Sequence, residues 1–393
     1  MDKNILNTTI QHFIKNYTEP ISQLAFKGSP FSEVTTQALI QQIESYQKSK
    51  DKLPTWHKSD GIYYPPKLNL EQTSSEVTAK YKASIVSGKT LADITGGFGV
   101  DCFYFAKKFS NVYHFEHNEV LSEIAAHNFK VLRADNILCE AGDGLEKVLN
   151  TKFDVIYTDP SRRHDSKGKV FFLKDCEPNI PENLSEVLKN CDTLLLKTSP
   201  MLDISAGLDE LTGVYQIHVV AVENEVKELL WLLKQGFEGA PEVKTINFAK
   251  TSSETFHFSM NASETTSYGI PQGFLYEPNA AIMKSGAFQH LSEAFTVNKL
   301  HKHTHLYTSE TLQPFPGRSF SIEKIIPYGK KTIRKELALK KANITTRNFP
   351  ESVASLRKKW NIKDGGEDYL FFTTLLNDEK VILVCKKVEI KDQ

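Results

Sequence analysis

The stretch Asp93–Asp101, DITGGFGVD, constrains the fold more than any other part of the chain. Apolar Leu91 and Ile94 lead into the turn, Gly96, Gly97 and Gly99 fall within four positions, and an acid stands at each end. This predicts a strand that runs into a tight glycine turn and then a helix, which lets backbone come close to a bound nucleotide or nucleoside. Spacing narrows the ligand. The dinucleotide pattern G-x-G-x-x-G fails from Gly97, where its last position is Cys102, and from Gly96, where its second glycine is Phe98. A phosphate-cradling G-x-x-x-x-G-K-[ST] loop is absent as well.

The chain has 393 residues, enough for two or three domains, each with its own core. Hydrophobic residues make up 40% and charged residues 24%, the balance of a globular protein. The formal net charge is zero, so the chain as a whole has no attraction for polyanions. Cys102, Cys139, Cys176, Cys191 and Cys385 are odd in number and scattered, which argues against a disulfide framework or zinc site and for a reducing compartment. No apolar run approaches the ~18 residues of a membrane span, and the polar N-terminus does not read as a signal peptide. These features predict a cytoplasmic protein with no metal.

Ile10, Phe13, Ile14 and Tyr17, then Leu39, Ile40 and Ile43, recur at helical spacing, with Pro20, Gly28 and Pro30 as breaks. Residues 51–70 read as a connecting loop. Glu71 to Val86 reads as a helix capped by Ser74 or Ser75, with Val77, Tyr81 and Ile85 as its apolar stripe. From Thr90 to about Ala249, β-rich runs alternate with helical patterns such as Val120–Leu132 and Glu225–Lys234. The runs are Leu91–Ile94, Val112–Phe115, Asp154–Thr158, Thr193–Leu196 and Tyr215–Val222. Such alternation predicts an α/β domain with a parallel, helix-flanked sheet and a ligand beyond the carboxyl ends of its strands. After Thr251 the alternation stops, predicting a separate α+β region. The expected division is 1–75 helical, 76–250 α/β, 251–320 and 321–393 α+β.

Residues just after the strands carry the candidate chemistry. Glu116 ends the second strand, 23 residues after Asp93, where a carboxylate can accept ribose hydroxyls. Asp143, in Ala141-Gly142-Asp143-Gly144, can accept from an adenine amino group or cap the helix that follows. Asp159 and Pro160 end the central strand; Asp159 can orient an acceptor or tie down its own turn. Arg162 and Arg163 can hold a phosphate by paired hydrogen bonds or bridge to an acid such as Asp165. Lys197 is a second candidate for an anionic substrate, and Glu223 and Glu225 read as a helix cap and its first turn.

The pattern acid-x-Thr-Gly-Gly-x-Gly-x-Asp, comprising Asp93, Thr95, Gly96, Gly97, Gly99 and Asp101, resembles the first motif of class I S-adenosylmethionine-dependent methyltransferases. EQTSSEVTAKYKA, LADITGGFGVD and YTDPSRR together are similar to a bacterial family of such enzymes with C-terminal ferredoxin-like and THUMP-like domains. The tail supports the resemblance through FLYEPNAAIMKSG, NITTRNFP, LRKKW and GGEDYLFFTT. The resemblance implies a Rossmann-like domain between a helical region and a THUMP-like tail, with S-adenosylmethionine as cofactor. It implies cofactor contacts from Asp93, Thr95, Gly96, Gly97, Gly99, Asp101, Glu116 and Asp143, and a methyl-transfer pocket at Asp159 and Pro160. The THUMP resemblance also implies RNA as partner, tRNA or rRNA.

The residue types restrict the reaction. Cytosine-C5 or uracil-C5 methylation needs a cysteine nucleophile, yet Ser161 follows the Asp-Pro pair, and Leu196-Lys197-Thr198-Ser199-Pro200 has no cysteine. Ser161 and Arg162 also replace the second proline and the aromatic of the Asn/Asp-Pro-Pro-aromatic form associated with amino-group methylation of bases. From Lys299 to Lys359 there are 14 Lys/Arg against 4 Asp/Glu, the footprint of a polyanion-binding surface or of a solvated basic face. On a strand, His301, His303 and His305 would share one face, but no nearby acid or cysteine completes a metal site. The expected function is methylation of a structured RNA docked by the basic tail. The alternatives are a methyltransferase for a small anionic metabolite and a non-catalytic RNA-binding protein that keeps the cofactor fold.

Overall fold

The structure, a computed structural model, describes residues 1–162, 172–261, 266–337 and 339–388. It divides into two compact units, Met1–Tyr215 with Leu229–Gly239, and Gln216–Glu228 with Ala240–Gln393.

The first unit opens with helices α1 (Thr8–Asn16), α2 (Ile21–Lys27), α3 (Thr36–Lys52), α4 (Pro54–Lys58), α5 (Lys67–Gln72) and α6 (Glu76–Ser84). Local chemistry starts several of them. The Thr35 hydroxyl accepts from Ala38 N–H at 3.2 Å to begin α3, and Ser75 caps α6 through Thr78 N–H at 3.3 Å. This region packs onto the α/β domain through Trp56, fully buried with its ring 4.9 Å from Phe103. The Asn128 amide, also fully buried, exchanges two 2.9 Å hydrogen bonds with the Tyr63 backbone.

The α/β domain runs β1 (Thr90–Asp93), α7 (Val100–Phe105), β2 (Asn111–Glu116), α8 (Glu119–Val131), β3 (Ile137–Ala141), α9 (Gly144–Val148) and β4 (Phe153–Thr158). A two-stranded pair follows, β5 (Ser161–Arg162) with β6 (Cys176–Glu177), then α10 (Ile180–Lys189), β7 (Cys191–Thr198) and α11 (Ile204–Glu210). β1 pairs in parallel with β2 on one side and β4 on the other; β3 extends the sheet past β2, and β7 extends it past β4. The chain therefore reverses its direction of build between β1 and β4. In such sheets the ligand crevice lies at that reversal, outside the carboxyl ends of the strands.

β8 (Val214–Val222) and β9 (Glu225–Leu233) lead between the units, and β9 lies antiparallel to β7. The helix expected at Glu225–Lys234 is thus a strand. Glu228 and Leu229–Leu233 form a run buried continuously in a sheet, a pattern that helical spacing mimics over so few residues. Glu223 and Glu225 accordingly do not begin a helix. Glu223 and Asn224 form the turn, with φ of 50° and 64°. The stripe Val77, Tyr81 and Ile85 is also not what α6 buries: Val77 is 40% exposed, whereas Glu76, Thr78, Ala79, Lys82 and Ala83 are buried. The inward face of this helix is polar because it meets charged partners, described below.

In the second unit β8 pairs in parallel with β10 (Glu242–Phe248), which pairs antiparallel with β11 (Ser253–Ser259). There follow β12 (Phe274–Pro278), α12 (Ala280–Ser285), α13 (Leu291–Ala294), β13 (Asn298–His301), β14 (Thr304–Ser309), β15 (Gly317–Pro327), α14 (Lys330–Glu336), β16 (Asn343–Arg347), α15 (Val353–Trp360), β17 (Asp368–Thr374) and β18 (Lys380–Val388). Seven strands form one sheet in the order β13-β14-β12-β15-β18-β17-β16. Its two ends come together. Thr304 Oγ1 donates to Thr374 O at 3.0 Å, and the Asn348 amide meets His301 Nδ1 at 3.0 Å. Leu275, Leu306, Phe320, Phe371 and Leu383 form one core of this sheet, and a second gathers Ile326, Ile333, Ile344, Leu356 and Phe372 beneath α14 and α15.

Candidate active site

The glycine turn sits where the reversal of strand order places a ligand. β1 ends at Asp93, and Gly96 N–H donates to Phe115 O at 2.8 Å, stitching the turn to the end of β2. Two kinds of constraint select the glycines. A Cβ at Gly96 would stand 2.4 Å from His114 Nε2, and one at Gly99, whose φ is 84°, would stand 2.3 Å from the Phe129 ring. Gly97 has φ of 55°, and an added Cβ would meet nothing nearer than Thr95 O at 3.8 Å, so its outer face is open to close approach.

Glu116, half-buried, is held at both oxygens. Oε2 accepts from Gly97 N–H and Oε1 from Asn118 N–H, each at 2.8 Å. A carboxylate oxygen has two lone pairs, so the carboxylate is fixed and still has acceptor capacity on each oxygen. Asp143 is exposed and caps α9, its Oδ1 accepting from Leu145 N–H at 2.8 Å. It adjoins the glycine turn because α9 begins on Gly144, where a Cβ would come within 2.6 Å of Ile94 O.

The buried acids form a linked network. Asp93 accepts at Oδ1 from Thr95 N–H (3.0 Å) and Thr95 Oγ1 (3.3 Å), and at Oδ2 from the Cys102 thiol (3.2 Å). The Thr95 hydroxyl in turn accepts from Asp159 N–H at 2.7 Å, tying the end of β1 to the end of β4. Asp159, about one third exposed, forms an ion pair with Lys197, which projects from β7 and is 12% exposed. Lys197 is therefore engaged with Asp159 rather than standing apart as an anion site. Pro160 follows, half-buried; Arg162 is exposed in β5, and Arg163 lies outside the described residues.

Asp101 turns toward the N-terminal helices. Its Oδ1 lies 3.2 Å from Nζ of the fully buried Lys82, and its Oδ2 accepts from Ser74 Oγ and Tyr157 OH, each at 2.8 Å. Ser74 and Lys82 were missed in the sequence reading of this site. The signal available was a lysine standing beside the apparent apolar stripe of α6, within EQTSSEVTAKYKA.

Environment separates the two buried acids of the turn. Burial, reinforced by the Asp101 and Asp159 charges, raises the Asp93 carboxyl to about 7 against the hydrogen bonds from Thr95 and Cys102. Burial acts in the same direction on Asp101, but the Lys82 and Lys197 charges, with hydrogen bonds from Ser74 and Tyr157, outweigh it and hold that carboxyl below its usual range. Burial pushes the thiols upward: Cys102 well above its ordinary value, Cys139 and Cys176 to about 11 and Cys191 to about 12. A resting thiolate is thereby disfavoured at each.

His301, His303 and His305 do not share a strand. His301 ends β13, Thr304 opens β14, and His303 lies in the turn between them. Among the described residues no group of three His, Cys, Asp or Glu is placed to hold a metal ion. No described helix is long and apolar enough to cross a membrane.

Comparison with known proteins places the tail and the whole chain. Residues 274–316 match the model of a family described as a ferredoxin-like domain, and residues 317–387 match one described as THUMP domain-like. A Porphyromonas gingivalis W83 protein, described as a "putative methyltransferase", has a crystal structure that matches with a TM-score of 0.88. The two are 32% identical over 99% of this chain and 100% of that one. A Pyrococcus horikoshii structure described as a "putative RNA methyltransferase" aligns at TM-score 0.33, with 14% identity over 48% of this chain and 98% of that one. The Pyrococcus abyssi tRNA (uracil-54, C5)-methyltransferase aligns at 0.30, with 18% identity over 44% and 40%. Likenesses that slight carry no argument. Among curated proteins nothing matches.

Proposed function

Because the chain belongs to the family of that Porphyromonas protein, with a Rossmann-like methyltransferase fold between a helical region and ferredoxin-like and THUMP-like domains, we propose that it is an S-adenosylmethionine-dependent methyltransferase acting on a structured RNA, tRNA or rRNA. One observation carries the reading: Asp93, the open Gly97, Glu116, Asp143 and Asp159 all lie at or just after the carboxyl ends of adjacent parallel strands, at the reversal of strand order.

The residues fit the cofactor. Glu116, locked by two backbone amides, suits the ribose hydroxyls; Asp143 has a carboxylate oxygen beyond its helix cap for the adenine amine; Gly97 lets backbone approach, while Gly96 and Gly99 let the turn pack against His114 and Phe129. Three acids (Asp93, Asp101, Asp159) face two lysines (Lys82, Lys197), a balance that favours a cationic ligand when Asp93, raised to about 7, gives up its proton. S-adenosylmethionine, when bound, supplies a methyl group made electrophilic by its sulfonium. What the chain does is position and exclude. The ion pair with Lys197 orients Asp159 to accept a hydrogen bond from an acceptor amino or hydroxyl group, with Pro160 stiffening the turn behind it. Arg162, exposed just after that turn, would hold a substrate phosphate. The raised thiols argue for transfer without a cysteine adduct.

For RNA, the support is the THUMP-like match together with α14. Lys330, Lys331, Arg334 and Lys335 are exposed there, and among the described residues none has an ion pair. Elsewhere in the basic stretch Lys324, Arg357 and Lys359 are neutralised by Glu336, Asp364 and Glu351. The test is to incubate the full chain with methyl-labelled cofactor and RNA from cells lacking it, then identify the nucleoside by mass spectrometry. Label in one nucleoside, lost in Asp159→Asn, is the expected result. Label that enters only small metabolites would point to the metabolite reading, and none at all to a binding protein.

A further inference from the structure

Two tail segments outside the methyl-transfer site, FLYEPNAAIMKSG and NITTRNFP, converge on one side chain. Glu277 in β12 stands directly across from Arg318 in β15, and Arg347 ends β16. The Glu277 side chain is 5% exposed, while those of Arg318 and Arg347 are 40% and 37% exposed. Each arginine takes its own carboxylate oxygen. Arg318 Nε reaches Oε2 at 2.7 Å with Nη2 bonded to the same atom, and Arg347 Nη2 reaches Oε1 at 2.6 Å. Arg318 also lies over the Phe320 ring, and Arg347 Nη1 donates to Thr346 O at 3.0 Å.

Both guanidiniums are thus fixed from beneath, with substantial surface left to solvent. One carboxylate offsets only one of two positive charges, which leaves an excess of one at a prepared position. A tie between strands needs one arginine; the second adds charge that Glu277 does not balance. Arg347 Nε is buried without a hydrogen-bond partner among the described residues. Buried donors without partners are costly in a folded chain.

We infer that Arg318 and Arg347, held by Glu277, form an oxyanion subsite that takes a phosphate group. The N–H groups that Glu277 and Thr346 leave unused on the two exposed guanidiniums, Arg318 Nη1 among them, suit a ligand with several acceptor oxygens. The subsite is separate from α14, and it rests on the RNA reading only for where the phosphate comes from, a nucleic-acid backbone or free phosphate.

The experiment titrates the full chain with inorganic phosphate at constant ionic strength, following the thermal transition and heat of binding, and separately with a short RNA oligonucleotide. Arg318→Lys and Arg347→Lys keep a charge opposite Glu277 while removing the fork, and their transitions without phosphate check that they fold. The expected result is saturable phosphate binding, weakened about ten-fold or more in each variant, the loss of one charge-assisted hydrogen bond. Replacing Lys330, Lys331, Arg334 and Lys335 with Gln leaves phosphate binding unchanged and weakens RNA binding. Non-saturable phosphate binding, or equal binding by wild type and both Lys variants, overturns the subsite even if RNA still binds. Saturable, variant-sensitive phosphate binding without any RNA binding overturns the RNA reading, keeps the subsite and identifies free phosphate as its ligand.

Discussion

The two units each build a charged cluster, with opposite surplus. At the glycine turn, Asp93, Asp101 and Asp159 exceed Lys82 and Lys197 by one negative charge once Asp93 has lost its proton; in the tail, Arg318 and Arg347 exceed Glu277 by one positive charge. Depth differs too. Lys82 is fully buried and Asp101 nearly so, with only Asp159 of that cluster about one third exposed, whereas both arginines keep more than a third of their side-chain surface. The first arrangement suits a cationic group closed off from water and the second an anion at a surface. Charge surplus and depth together, rather than the presence of ion pairs, distinguish what each can hold.

The sharpest way to break this contrast is Lys82→Met. It strands Asp101 among buried groups and should cost about 3–5 kcal/mol in urea unfolding, with Asp101→Asn in the same chain restoring part of it. Next is Gly99→Ala. A methyl driven toward Phe129 at a φ of 84° should cost about 2–3 kcal/mol and weaken cofactor binding. Glu277→Gln should cost less, about 1–2 kcal/mol, because water can solvate the half-exposed arginines. A loss as large as that of Lys82→Met would make Glu277 a structural tie and remove the contrast.

A smaller effect concerns pH. The Asp93 carboxyl is raised from 3.8 to about 7 in the folded protein. Between these values the folded chain holds a proton that the unfolded chain has released. Stability from this group is therefore full below pH 3.8, falls as pH rises toward about 7 and is level above it. Asp93→Asn should flatten the dependence of unfolding free energy on pH between about 4 and 7; an unchanged slope would place the proton elsewhere. The smallest stability effect belongs to α14, where each exposed charge removed should alter stability by less than about 0.5 kcal/mol. Each should also lower the salt dependence of RNA binding by about one unit of slope.

How much of this was legible in the sequence depended on the range of the interactions. DITGGFGVD, Glu116, Asp143 and Asp159 could be placed because each follows a strand, and strand ends in a parallel sheet share one edge. The Glu225–Leu233 strand was misread as a helix because a short, continuously buried apolar run satisfies either period. Lys82 was passed over because an apolar stripe on α6 suggested the wrong inward face; only the folded position of Asp101 makes the polar face the buried one. Glu277, Arg318 and Arg347 come together through strand pairing and the meeting of distant sheet edges, which no local pattern encodes.

The central claim is that the acid-rich glycine turn binds S-adenosylmethionine, and isothermal titration of the full chain with that cofactor tests it most directly. The account predicts one saturable site, with Glu116→Gln weakening it by about ten-fold or more, the equivalent of a hydrogen bond to a charged group. No heat from the wild-type chain, or equal affinity in wild type and Glu116→Gln, would contradict it.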